Sequence, residues 1–280
     1  MILISTESGK TVDFPSSWDE LKPRQIRHLW ILQDRCICSG ASPMEFSVRV
    51  LLYLLGLRRL PNRDGKPSEN IYLLCEQCLG FLFSADGATL SFRSTVNPMP
   101  RIGLRRGPGD MLRNLTFGEF RHASAAMRAY AENHDAADLD ECIAILYRTP
   151  WKKANRAGRR AAALGGVMFK LDLALARATA PWRKSLVFAW FCSTLQYLQR
   201  GKLIINGELV DLALLFSPSG GSRGPDCSWN DLLVQFARDG VLGNVDRVDE
   251  EPLLSIFSIM WSNFKEAKRY ETTLKAKKSK

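Results

Sequence analysis

Apolar residues recur most regularly between Thr116 and Arg148. Phe120, Ala123, Met127 and Tyr130 follow one another at helical spacing, and after a polar break Leu139, Cys142, Ile143, Leu146 and Tyr147 do so again. Thr116 and Glu119 have the spacing of a capping box, in which the hydroxyl and the carboxylate each satisfy the other residue's N–H. Asp135 suits the start of the second helix, with Asp138 in its first turn. Thr149-Pro150 stops it, because the residue before a proline is pushed out of the helical region. The pattern predicts an αα-hairpin joined at about Glu132-Asn133-His134. A helix pair that is apolar on one side needs the rest of the chain to cover it.

The remaining periodicities extend that picture. Ile2-Leu3-Ile4 and Val12-Asp13-Phe14 flank Ser8-Gly9-Lys10 and predict a β-hairpin. Ser16 or Ser17 suits the cap of a helix with Asp19 and Glu20 in its first turn and Leu21, Ile26, Leu29, Trp30 and Leu32 inward. Ser42-Pro43 opens a helix with Phe46, Val50, Leu51 and Leu54 on its core face. Residues 61 to 70 are a loop on composition, and Ile71 to Leu79 fits helix and strand alike. Asp86-Gly87 between two apolar runs predicts a tight hairpin. Trp151 to Gly165, basic and alanine-rich, is helical or disordered. Pro181 starts a helix reaching Gln199, with Leu186, Trp190, Cys192 and Leu195 on or near its apolar side. Leu203 to Val210 around Asn206-Gly207 is a hairpin or a turn before a short helix. Residues 217 to 227 are a loop. Ser228 with Asp231 repeats the capping pattern and Gly240 ends that helix. Asp249 is expected to cap the last helix, over Leu253, Ile256, Phe257, Met260, Trp261 and Phe264.

The fold class expected is therefore mainly α: a helical domain built on αα-hairpins, with one or two small β-hairpins in the N-terminal third. Residues 1–95 form an N-terminal lobe, and 96–115, with Pro98, Pro100 and Pro108, an extended connector. Residues 116–270 form the helical domain and 271–280 a basic tail, with the last helix fraying past Tyr270.

Composition adds limits. The chain has 280 residues, 46% of them apolar, enough for a core. The longest uncharged stretch, Ser185 to Gln199, is too short and too polar to span a bilayer, and no signal peptide is visible. Seven cysteines, mostly in apolar runs, fit a reduced cytoplasmic protein. Cys36-x-Cys38 and Cys75-x-x-Cys78 have enough thiols for one zinc. The second pair lies in Leu73-Leu74-Cys75-Glu76-Gln77-Cys78-Leu79, however, where cysteine behaves as a small buried hydrophobe, so no metal and no cofactor is assigned. His28, His122 and His134 lack metal-ligand neighbours. Gly220 to Gly224 lacks the G-K-[ST] of a phosphate loop, and neither Ser5 nor Ser91 lies in a nucleophile elbow. A non-enzyme is the expectation.

The formal charge of +10 is uneven. From Arg148 to Lys184 there are ten basic residues and one acid, Asp172. Arg148, Lys152, Lys153, Arg156, Arg159 and Arg160, with Trp151 among them, suit phosphate contacts with stacking, and the lysine-rich end, Lys275 to Lys280, adds to them. A nucleic-acid-binding protein is thus one reading, set against a solvated basic face. A helix-turn-helix at 116–148 is rejected, because Asp135, Asp138, Asp140 and Glu141 would put acid where the groove is entered.

Several short motifs carry a resemblance. They are Phe14-Pro15 with Trp18-Asp19-Glu20-Leu21-Lys22-Pro23-Arg24-Gln25, Asn97-Pro98-Met99-Pro100, Gly107-Pro108-Gly109-Asp110 and Leu115-Thr116-Phe117-Gly118-Glu119-Phe120. Leu139-Asp140, Ala144-Ile145-Leu146-Tyr147-Arg148 and Asp239-Gly240-Val241-Leu242-Gly243-Asn244-Val245 complete them. From Phe14 to about Trp261 the chain resembles a family of phage and prophage proteins of Bacteroidetes bacteria, encoded among tail-morphogenesis genes. The motifs are caps, turns and core strips, and none is catalytic. The resemblance implies a structural or assembly role, such as a tail assembly chaperone or tail accessory protein. Its partners would be other tail proteins, the tape-measure protein among them, in the host cytoplasm or the virion.

Overall fold

The computed structural model describes residues 2–5, 11–57, 68–84, 89–159, 161, 164–216, 229–238, 242 and 244–278. The chain is mainly helical, and its described strands form three two-stranded antiparallel sheets. Its contacts divide it into two compact units, residues 1–99 with 179–193 and residues 100–178 with 194–280.

The first unit begins with β1 (Ile2–Ser5) and β2 (Thr11–Phe14), paired from Ile2 opposite Phe14 to Ser5 opposite Thr11. The helix expected from Ser16 or Ser17 is corrected. Trp18–Glu20 is a single 3-10 turn, Leu21 is extended, and α1 (Pro23–Ser39) starts at the proline. Lys22 is held out of the helical region by Pro23, and its N–H is taken by the Gln25 side chain at 2.9 Å. Leu21, Ile26, Leu29 and Trp30 are buried and Leu32 half-buried. Ser42 caps α2 (Pro43–Leu54) by accepting the Glu45 N–H, and Phe46, Val50, Leu51 and Leu54 face the core. The ambiguous run 71–79 is a helix, α3 (Glu69–Leu79). Phe83 bridges Leu90, while the turn residues Asp86 and Gly87 lie outside the described ones. Trp18, Trp30 and Phe92 meet edge to face or tilted at 4.9–5.7 Å between ring centroids, a geometry aromatic rings favour.

The second unit opens on the proline- and glycine-rich stretch. It is folded, with strands β3 (Arg101–Ile102) and β4 (Arg105–Arg106) and a 3-10 turn at Asp110–Leu112. Then come α4 (Phe117–Asn133) and α5 (Ala136–Leu146), the predicted αα-hairpin. Both capping-box bonds form, Glu119 N–H to Thr116 Oγ1 and Thr116 N–H to Glu119 Oε2, each at 3.2 Å. His134 turns the chain at φ 56°, and Asp135 Oδ1 takes the Ala137 N–H. Ala144 and Ile145 are buried along with the predicted stripe, so α5 is covered on more sides than one.

Residues 151–159 are irregular rather than helical, and α6 (Val167–Arg177) follows where the sequence reading places no element. Helix α7 (Pro181–Arg200) contributes to the first unit as far as Ser193, where Leu186, Trp190 and Phe191 are buried and the Trp190 Nε1–H donates to the Thr95 carbonyl. From Thr194 it belongs to the second. Strands β5 (Lys202–Ile205) and β6 (Glu208–Asp211) form the hairpin around Asn206-Gly207, both at positive φ, and α8 (Leu212–Phe216) follows. Helix α9 (Trp229–Arg238) buries Leu233 and Phe236; Ser228, Gly240 and the loop 217–227 lie outside the described residues.

The last helix is also corrected. Asn244 caps α10 (Val245–Glu250), and Asp249 lies inside it, bonded to Arg121 of α4 at 2.7 Å. Pro252 separates α10 from α11 (Leu253–Lys278). No fraying is seen past Tyr270: the helix continues to Lys278, with the Thr272 and Thr273 hydroxyls bonded back to the Lys268 and Arg269 carbonyls. Leu274, Lys275 and Lys277 are exposed, and such strong helix formers favour the helix without burial.

A helix clasped by buried arginines: the candidate binding face

The basic segment from Arg148 was expected to supply a nucleic-acid surface. The structure separates its residues. Arg148 and Asp172 are each 1% exposed, and the Arg148 Nε–H donates to Asp172 Oδ2 at 3.0 Å. Thr149 donates its N–H and its hydroxyl to the other oxygen, Asp172 Oδ1, at 2.9 and 2.6 Å. One carboxylate thus receives three donors just beyond the C-terminus of α5. The Phe169 ring lies 5.3 Å from the Arg148 guanidinium carbon, adding a cation–π contact. Arg106 and Arg148 also exchange backbone hydrogen bonds, which fixes β4 beside the same site.

Arg159 is held elsewhere in the same interior. It donates to the carbonyls of Arg106 and Leu146 and lies 3.6 Å from Glu119. Burial pulls its guanidinium down from the ordinary arginine value, and the Glu119 carboxylate opposes that pull. Asn155 Oδ1 accepts the Arg159 N–H, and the Asn155 N–H donates to the Arg159 carbonyl, closing the loop that carries the arginine inward. Arg156 pairs with Glu251 and approaches Glu250 at 3.8 Å. Lys152 and Lys153 stay exposed, and Arg160 lies outside the described residues. Arg148 and Arg159 therefore spend their charge on the protein's own carboxylates and carbonyls, and Lys152 and Lys153 with the 43% exposed Trp151 are what this loop offers to solvent.

Arg105, which composition does not single out, completes the clasp. Its guanidinium donates to the Asp172 and Leu175 carbonyls of α6 at 3.4 and 3.1 Å. A cation at a helix C-terminus satisfies carbonyls that have no intrahelical partner and complements the helix dipole. Asp172 and Ala176 are the buried residues of α6, so the clasp fixes which way the helix faces.

The opposite side of α6 is apolar and uncovered. Val167, Leu171 and Leu175 are 82%, 45% and 40% exposed, and their spacing of four puts them on one face. Ala174 and Ala178 are exposed with them. The one acid in the helix is the buried Asp172, so its exposed charges, Lys170 and Arg177, are both basic. The three aliphatic side chains form one exposed ridge, and Lys170 and Arg177 lie along one edge of it. Periodicity would have disclosed it: Val167, Leu171 and Leu175 keep the i, i+4, i+8 rule inside a stretch whose charge draws attention first.

The cysteines have no such arrangement. Cys75 and Cys78 are buried on α3, Cys36 is buried and Cys38 exposed on α1. Burial pushes the Cys75 thiol up to about 11, with a smaller push from Cys78, and burial alone pushes Cys192 up to about 11. Among the described residues no group of three or more His, Cys, Asp or Glu is placed to hold a metal, and no helix is long and apolar enough to cross a membrane. Comparison of the chain with protein-family models, with curated proteins and with solved structures returns no match.

Proposed function

We propose that this chain is a non-enzymatic phage assembly protein, acting as a tail assembly chaperone or tail accessory protein that holds another tail component. The motif resemblance supports the biological setting, and the observation that carries the molecular role is the exposed ridge Val167–Leu171–Leu175 with Lys170 and Arg177 along one edge. Its occupant is an amphipathic helix of another tail component, the tape-measure protein first among them, with an apolar stripe and acidic flanks. Apolar contact supplies affinity and the basic edge selects an acidic flank. The host cytoplasm, and the virion if the protein stays bound, are where it would meet that partner.

The test is binding of the purified chain to helical fragments of a tape-measure protein, followed by calorimetry at low and high salt. Leu171→Glu and Leu175→Glu should each weaken capture at least tenfold, about 1.4 kcal/mol, while the melting temperature holds because both residues face solvent. Binding of a duplex or single-stranded oligonucleotide that falls steeply with salt, and is lost on Lys152→Ala with Lys153→Ala, would favour the nucleic-acid reading instead. Unchanged capture by both glutamate variants would remove the ridge from the function.

A further inference from the structure

Helix α11 keeps the spacing of a packed helix beyond the point where anything packs on it. Ile256, Met260, Asn263, Ala267, Tyr270 and Leu274 follow one another at alternating intervals of four and three, the a/d seam of a coiled coil. Ile256 is fully buried and Met260 half-buried, whereas Asn263 and Ala267 are exposed and Tyr270 and Leu274 are 73% and 58% exposed. The seam thus begins in the core of the second unit and ends as an open strip. Glu266 and Glu271, both exposed, hold the g and e positions on either side of that strip. Lys268, Arg269 and Lys275 are turned away from it.

We infer that the strip Ala267–Tyr270–Leu274 of one copy of the chain seats on the α6 ridge Val167–Leu171–Leu175 of a second copy. The inference rests on the reading of that ridge as a helix-binding face and names a first occupant for it. Length agrees: at 1.5 Å per residue the ridge runs about 12 Å and the strip about 11 Å. Charge agrees as well. The ridge has a basic edge in Lys170 and Arg177, and the strip is flanked by carboxylates. Because Glu266 and Glu271 lie on both sides of it, one carboxylate meets the basic edge whichever way the two helices run.

Shape is the third agreement. A coiled-coil knob enters a hole made by four residues of the facing helix. Leu171, Ala174, Leu175 and Ala178 have the spacing of such a hole, all four are exposed, and the two alanines leave room between the leucines. Tyr270 is the large knob of the strip. Strip and ridge are both open within one copy, so the contact joins two chains rather than two parts of one. A pair of short helix faces buries far less than the roughly 1,000 Å² of a lasting interface, so the association is weak and depends on concentration. A two-fold pair uses the contact twice, whereas a head-to-tail arrangement continues into a ring or filament. Either way a second copy and a tail component compete for one ridge, and the copies shield each other's apolar surface until the tail component arrives.

The experiment is sedimentation velocity of the full chain over about a hundredfold range of concentration, with melting temperatures at low concentration as the check on folding. The unaltered chain should shift from monomer to dimer or larger. Leu171→Glu, and separately Tyr270→Glu with Leu274→Glu, should each leave a monomer whose melting temperature is unchanged, because all three residues face solvent. Mixing these two variants should restore association, since one supplies an intact strip and the other an intact ridge. Glu266→Lys with Glu271→Lys should weaken association at least fivefold. A chain that stays monomeric throughout overturns the inference. So does association that survives Leu171→Glu, as pairing of α11 with α11 would, and so do two variants that fail to complement. Association indifferent to the paired lysines overturns the charge-matched seating. A monomeric chain that still captures tape-measure fragments through Leu171 would sink the inference and leave the proposed function standing. Association through this contact without capture of any fragment would do the reverse.

Discussion

Thr116 is buried, and its two capping bonds to Glu119 lie under cover, with Phe117 N–H bonded to the Glu251 carbonyl alongside. Thr116→Ala should cost about 1 kcal/mol, read as a lower denaturant midpoint. The Arg148–Asp172 pair has higher stakes, because removing one partner strands a buried charge. Asp172→Ala should destabilise by about 3–5 kcal/mol, and Arg148→Met combined with Asp172→Leu should recover only part of that loss, because the Thr149 N–H and hydroxyl also lose their acceptor. The thiols set a pH dependence of definite sign. A thiol whose folded value is raised from about 9 to about 11 holds its proton longer in the fold than in the unfolded chain. Its contribution is complete below pH 9 and is lost as pH rises toward 11. The melting temperature should therefore fall over that interval, and less steeply in Cys75→Ala with Cys192→Ala. Thr116 with Glu119, and Ser42 before Pro43 as a helix start, could be read from sequence because a cap is a local event. Arg148 with Asp172 could not, since 24 residues separate them and only the packing of α5 on α6 brings them together.

Among the elements, α4 meets α10 at Gly118. A Cβ there would lie 2.9 Å from the Asp249 Cβ and 3.1 Å from its carbonyl oxygen. Gly118→Ala should thus destabilise the protein by about 1–3 kcal/mol, despite alanine's better helix propensity, because the helices must part. Deleting residues 275–280 should move the denaturant midpoint by no more than about 0.5 kcal/mol, since Tyr270 and Leu274 before them are already exposed. Helices with a clean stripe and a local stop, α2, α4, α5 and α7, were readable. Two signals misled. Asp249-Glu250-Glu251 has the composition of a helix first turn, yet Asn244 had already started α10 and Pro252 ended it. Ten basic residues around α6 hid its period-four aliphatic ridge. Period four discloses the ridge as one helix face but not that it is uncovered, because exposure is decided by what else packs there.

At the level of the whole molecule, the first unit is not a continuous piece of chain. Its core takes Leu186, Trp190 and Phe191 from α7, nearly ninety residues after Met99. A fragment of residues 1–99 should therefore fail to give a cooperative melt, and adding residues 179–193 in trans as a peptide should raise its helicity. A cooperative transition in the short fragment alone would show that α7 is dispensable to that core. The division at Met99 falls among prolines, where composition suggested a boundary. The return of 179–193 had no local signature, because a helix's apolar side does not say which core it will enter.

That discontinuity matters during synthesis. A ribosome adding about 5–20 residues per second takes roughly 5–20 s to go from Met99 to Ser193. Throughout that interval the nascent N-terminal residues are complete but lack the helix that fills their centre, with the Trp18–Trp30–Phe92 cluster as a ready contact for anything nearby. The α4–α5 hairpin, made of neighbours in sequence and capped at both starts, has no such wait. The later-translated hairpin is positioned to mature first, and the N-terminal third to lock only when α7 arrives.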